Sequence, residues 1–139
     1  MTPKGHSGYD RAMQAGLPFR TAFTHAHVYF TPEARAVAER LRAGVAGKFA
    51  GRAHVGRLID QPIGPHPLPM FEVDFDSALA TELVPFLEAQ RADLSVLVHP
   101  VSGEEVQDHT VSAVWLGRRL ELKVDFLEAY MARQKARAG

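Results

Sequence analysis

The chain has 139 residues, 16 basic against 16 acidic side chains and no cysteine, which suits one domain with a real core and gives no electrostatic reason to expect nucleic acid as a partner. Without cysteine there are no disulfides, thiolate nucleophiles or iron–sulfur clusters, and any metal must be held by His, Asp or Glu. No apolar run approaches the roughly 20 residues of a membrane span, and the N-terminus lacks the apolar core of a signal peptide, so no membrane partner and a cytoplasmic location are the default expectations.

Residues 1–20 mix Gly, Pro and charge without a period, an irregular lead-in in which His6 reads as a solvated residue. A single domain is expected over 21–139. Its first strand, about Thr24 to Phe30, has Ala26, Val28 and Phe30 on one face and His25, His27 and Tyr29 on the other. Thr31-Pro32-Glu33 then has the chemistry of a helix start. Ala34, Val37, Ala38, Leu41 and Val45 follow at helical spacing. Ala53 to Ile59 reads as a weaker second strand. Asp60 to Pro69 is too rich in proline for a regular element. Met70 to Phe75 is the third strand, with Phe71, Val73 and Phe75 apolar and Met70, Glu72 and Asp74 opposite. Asp76-Ser77 suits a cap for a second helix, in which Pro85 predicts a kink or two short pieces. Leu94 to His99 is the fourth strand, Pro100 to Thr110 a polar loop, and Val111 to Leu116 with Leu120 to Val124 a hairpin about Gly117-Arg118. Asp125 opens a last helix with Phe126, Leu127, Tyr130 and Met131 inward.

Strand, helix, strand, strand, helix, strand is the order of a split βαβ, ferredoxin-like α+β sandwich. Right-handed crossovers place both helices on one face of a four-stranded antiparallel sheet of order 4-1-3-2. The apolar faces of strands 1, 3 and 4 then point at the helices, and the polar faces share the other side. Neighbouring strands lie ~5 Å apart and same-face residues ~7 Å apart along a strand, so His27, His99 and Glu72 converge if the registers agree. Two imidazoles and one carboxylate form the facial triad of non-haem Fe(II) oxygenases; Asp74 or a third histidine is an alternative third ligand. Zinc would accept the same donors. The open face, which carries Met70, Leu97 and Tyr29, needs a cover, either the C-terminal hairpin and helix or a second subunit in a homodimer.

Several local motifs resemble the DOPA 4,5-dioxygenase family. They are His27-Val28-Tyr29-Phe30, Gly64-Pro65-His66-Pro67 followed by Met70-Phe71-Glu72, Leu94 to Pro100 (LSVLVHP), Asp108-His109-Thr110, and Trp115-Leu116-Gly117. The resemblance covers about residues 20–124. It implies a dimeric, iron-dependent, ferredoxin-like extradiol dioxygenase that uses O₂ to open a catechol such as L-DOPA.

The resulting reading puts Fe(II) on His27, His99 and Glu72, with His109 or His66 exchanging a proton with the catechol. Asp108 would orient His109. His66 sits in a loop expected at the far end of strand 3, so that it either folds back over the open face or serves a partner's site. His25 reads as a surface histidine, with support of a neighbouring ligand as the alternative, His54 as structural and Trp115 as core. Two rivals remain: a metal-free dimeric ferredoxin-like binding module, separated by metal content, and a zinc hydrolase, separated by oxygen consumption with a catechol.

Overall fold

A computed structural model describes residue 17 and residues 19–138; His6 and nearly all of the N-terminal lead-in lie outside them. Strands β1 (Phe23–Tyr29), β2 (Ala53–Val55), β3 (Met70–Asp76), β4 (Val96–Pro100) and β5 (Val114–Leu116) form one antiparallel sheet of order β2-β3-β1-β4-β5. This is the expected ferredoxin-like order with one strand added at the β4 edge. Helices α1 (Arg35–Lys48) and α2 (Ala80–Gln90) are the crossovers; α3 (Glu105–His109) and α4 (Val124–Ala138) follow β4 and β5.

The helix-facing core is built from the alternation read above. Ala26, Val28, Phe30, Phe71, Val73, Phe75, Val96 and Val98 meet Ala38, Leu41, Val45, Leu83, Val84 and Leu87, all buried. Each crossover helix is entered through a single 3₁₀ turn, Pro32–Ala34 before α1 and Ser77–Leu79 before α2. Thr31 occupies the cap position without a side-chain bond, whereas the Asp76 carboxylate accepts from the Ala78 N–H at 2.9 Å. Pro85 lies inside α2 without dividing it; the division comes earlier, at the 3₁₀ turn.

The other face differs from expectation in three ways. No hairpin forms after β5. Instead Leu120 and Leu122 turn back with Leu68, Ile59 and Trp115 over Tyr29, Met70 and Leu97, forming a second apolar cluster. The face is therefore covered by the chain's own C-terminal segment, and the apolar argument for a partner subunit there loses its basis. Second, Pro100 to Thr110 is not all loop, since α3 forms within it. Third, of the residues expected inward on α4 only Leu127 is buried, while Phe126 and Tyr130 are 44% and 39% exposed. The second strand is also shorter than expected, although Ile59 still bridges to Met70.

That bridge decides where the Pro-rich loop goes. With Ile59 and Met70 paired, residues 60–69 leave and return at one place. At their tip Gly64 takes φ +55°, a conformation that glycine adopts without strain. The His66 N–H donates to the Ile63 carbonyl at 2.9 Å, and the Lys123 N–H to the Pro65 carbonyl at 2.8 Å. The loop folds back over the sheet and is tied to the C-terminal segment.

Candidate active site

Four histidines meet on the covered face, and all are buried: His27, His66, His99 and His109. Strand β1 supplies His27 and β4 supplies His99; the folded-back loop brings His66 and the last residue of α3 is His109. Ring centroids lie 4.3 Å apart for His27 and His66, 5.1 Å for His27 and His99, and 4.1 Å for His99 and His109. Together with Glu72, Glu105, Phe126, Tyr130 and other neighbours they line a cleft of about 250 Å³. That volume suits a ligand with a single ring, being below the usual range for larger ligands. It also gives the partly exposed Phe126 and Tyr130 a place at its wall.

The hydrogen bonds fix which nitrogen of each ring is bare. His99 Nδ1 is 2.7 Å from the Pro100 carbonyl and His109 Nδ1 is 2.7 Å from the Glu105 carbonyl. A carbonyl only accepts, so both rings carry their hydrogen on Nδ1, and Nε2 is a free lone pair when the ring is neutral. Burial, ahead of the charge of His109, lowers the pKa of His99 to about 3 and that of His66 to about 4. Burial and the surrounding imidazoles also hold His27 well below its ordinary range. His27, His66 and His99 are therefore neutral at pH 7, as ligands and bases must be.

His27 Nε2 lies 3.0 Å from His99 Nε2. With His99 Nε2 bare, His27 must donate there, which strips its own Nδ1 of hydrogen; that Nδ1 is buried and has no hydrogen-bond partner. The difficulty would lift if His27 and His99 both served as ligands of a cation through bare Nε2 atoms. The His27 hydrogen would then return to Nδ1, facing Glu72 Oε1 at 3.5 Å. The donor set fits a metal.

Sheet register explains the rest of the set. His25 stands opposite His99 on β4 and Asp74 on β3, while His27 stands opposite Glu72 and Leu97. The single nitrogens offered by His25, His27 and His99 lie within 4.8 Å of one another, as do donors of His25, Glu72 and Asp74. Glu72 does not complete the expected triad in this geometry: it faces Nδ1 of His27, on the other side of the ring from His99. Burial, with Asp74 beside it, raises its carboxyl to about 8. His25, read as a surface histidine, is only partly exposed and touches both Glu72 and Asp74, at 3.9 and 3.3 Å.

Asp108 also departs from its expected role. Its carboxylate accepts from the N–H and the hydroxyl of Ser102, at 2.8 and 2.7 Å, and the orienting partner of His109 is the Glu105 carbonyl. Asp108 thus staples the turn that carries His109. Tyr29, which the sequence marked only as a polar-face residue, has its hydroxyl 2.7 Å from His66 Nδ1, and its ring stacks on Trp115 with centroids 5.8 Å apart. Its position two residues after His27 on the same strand face was the available signal. His54 is exposed on β2 and outside the cleft.

A cluster of neutral imidazoles with bare nitrogens, at the base of a small cleft on a ferredoxin-like sheet, has the donor set of a metal-using enzyme. The model of the Dopa 4,5-dioxygenase family matches residues 24–126; the chain belongs to that family. It is 32% identical to an uncharacterized 21.2 kDa protein of Botryotinia fuckeliana, over 96% of this chain and 76% of that protein. It is also 32% identical to a DOPA 4,5-dioxygenase of Amanita muscaria, over 72% of this chain and 47% of the relative, so the chain matches about half of that enzyme's length. A crystal structure of a candidate dioxygenase from Nostoc punctiforme superposes with a TM-score of 0.74 at 42% identity, over 79% of this chain and 94% of that one. Among the described residues no helix is long and apolar enough to cross a membrane.

Proposed function

We propose that this chain is an extradiol ring-cleaving dioxygenase that acts on a catechol with non-haem Fe(II) and O₂. The observation that carries the reading is the pair of Nε2 atoms of His27 and His99, 3.0 Å apart in a buried cleft, in a chain of a dioxygenase family. His27 and His99 would hold the metal with His25 as the third donor. Glu72 would accept the Nδ1 hydrogen of His27 from behind, the usual outer support of a ligating imidazole. Bound iron(II) would supply the redox chemistry by which O₂ reacts with the catechol ring.

The remaining residues bind, position and exchange protons. His109 offers a bare Nε2 to a catechol hydroxyl from a ring fixed at its other nitrogen. His66 lies across the cleft, its ring centroid 6.3 Å from that of His109. Phe126, Leu127 and Tyr130 supply apolar walls for an aromatic ring. Because the Amanita relative carries the name DOPA 4,5-dioxygenase, L-DOPA is the first catechol to test.

The test is anaerobic reconstitution with Fe(II), then air with L-DOPA, dihydroxybenzoates or plain catechol, with oxygen uptake and ring-opening absorbance recorded together. Equimolar uptake and a new visible or near-ultraviolet product support the reading. Iron-loaded protein that consumes no oxygen with any of them sinks it, and zinc-loaded protein is the control in which uptake must be absent.

A further inference from the structure

The Tyr29 hydroxyl and His66 Nδ1 lie 2.7 Å apart, and either could supply the hydrogen. Burial decides between them. Tyr29 is 1% exposed and its hydroxyl makes no other hydrogen bond among the described residues. If His66 donated, the phenol hydrogen would be buried without an acceptor; if Tyr29 donates, both groups are satisfied. The ring is further locked by its stack on Trp115. His99 and His109, by contrast, are held at Nδ1 by carbonyls, which only accept.

We propose that Tyr29 is a positioning residue that holds His66 with its hydrogen on Nε2, turned to the cleft, the opposite tautomer to that of His99 and His109. The cleft thereby has one histidine that donates and one, His109, that accepts. The ligand atom facing His66 must be a hydrogen-bond acceptor, such as an ionised ring oxygen. The use of that donor in catechol binding rests on the dioxygenase reading; the tautomer itself rests on the hydrogen bonds.

Two-bond ¹H–¹⁵N spectra of the full chain, metal-free and zinc-loaded, read the tautomer directly. His66 should be protonated on Nε2 and His109 on Nδ1. Tyr29→Phe should weaken the preference at His66, so that an Nδ1-protonated form appears, while leaving His109 unchanged, an effect that a purely structural role of Tyr29 would not produce. On zinc-loaded protein the Kd for 4-nitrocatechol, used as the probe, should rise about threefold in Tyr29→Phe, the low end of the worth of a hydrogen bond, because His66 can still place its hydrogen on Nε2 when the probe binds. In a His66→Gln background, where the amide N–H₂ takes the place of Nε2–H, Tyr29→Phe should change that Kd less than twofold. A wild-type His66 protonated on Nδ1 overturns the proposal, and this needs no variant to fold. So does an unchanged His66 tautomer in Tyr29→Phe. Absence of ring cleavage by the iron-loaded protein would instead remove the dioxygenase reading and leave the tautomer assignment standing.

Discussion

His27 and His99 face each other through Nε2 at 3.0 Å although they are not partners across the sheet; the residue opposite His99 is His25. The pair is diagonal, and it leaves His27 Nδ1 buried without a hydrogen-bond partner. His27→Ala and His99→Ala should each lower Fe(II) or Zn(II) affinity by at least about 100-fold, more than the loss of an outer-shell partner. Neither side chain belongs to the helix-facing core, so circular dichroism should show both variants folded. Full metal occupancy in both would reject the assignment.

Glu72 offers a sharper test, because it distinguishes a ligand from a support. Lying 3.5 Å from His27 Nδ1, it should behave as an outer carboxylate. Glu72→Gln should weaken metal binding by roughly 10–100-fold without abolishing it, whereas His25→Ala should cost as much as His27→Ala. Equilibrium titration with a chromophoric chelator separates the two. If Glu72→Gln releases the metal and His25→Ala does not, the carboxylate is the third ligand.

In the metal-free protein the buried groups should narrow the pH range of stability. His99 at about 3 and His66 at about 4 lie below the ordinary 6.5. Their contribution is complete above pH 6.5 and is lost as pH falls toward those values, because the neutral rings must charge. Glu72, raised from 4.5 to about 8, acts in the other direction. Its contribution is complete below pH 4.5 and is lost as pH rises through 8. Thermal melting from pH 4 to pH 9 should peak between these limits. His99→Gln should flatten the acid limb and Glu72→Gln the alkaline one; an acid limb unaltered in both His99→Gln and His66→Gln would contradict the placement of these rings.

Proton exchange and positioning should separate at α3. His109→Ala removes the bare nitrogen and should reduce turnover by roughly 10²–10⁴ with metal still bound. Asp108→Ala removes two hydrogen bonds to Ser102. It should cost roughly 1–3 kcal/mol of stability, read from the denaturant midpoint, with a smaller loss of turnover as the His109 turn loosens. A stability loss in His109→Ala larger than in Asp108→Ala would reverse these roles.

The strands, both crossover helices and the sheet order followed from apolar alternation and one topological rule, and His27, His66, His99 and His109 were all marked as candidates. What stayed hidden was register and return. Apolar alternation is unchanged by a two-residue slip, so nothing in it tells whether His99 lies beside His25 or His27, and hence whether Glu72 or His25 completes the set. The return of the Pro-rich loop depends on one backbone bridge, Ile59 to Met70, and on the Lys123 N–H meeting the Pro65 carbonyl. Neither leaves a mark in side-chain periodicity. Leu120 and Leu122 look like strand residues by alternation, but their neighbours across space are Tyr29, Met70 and Leu97.

The covering of the second sheet face by the last part of the chain has a consequence for biosynthesis. The first two elements of the helix-packed core leave the ribosome early, but His27 must wait for His99, 72 positions later, and then for His109 and for Leu120, Leu122 and α4 to close over them. Long-range closures of this kind come late in folding. A nascent chain ended near residue 110 would hold its histidines on an uncovered face, free to take up the wrong metal. If the histidines hold the metal proposed above, its loading belongs after these closures.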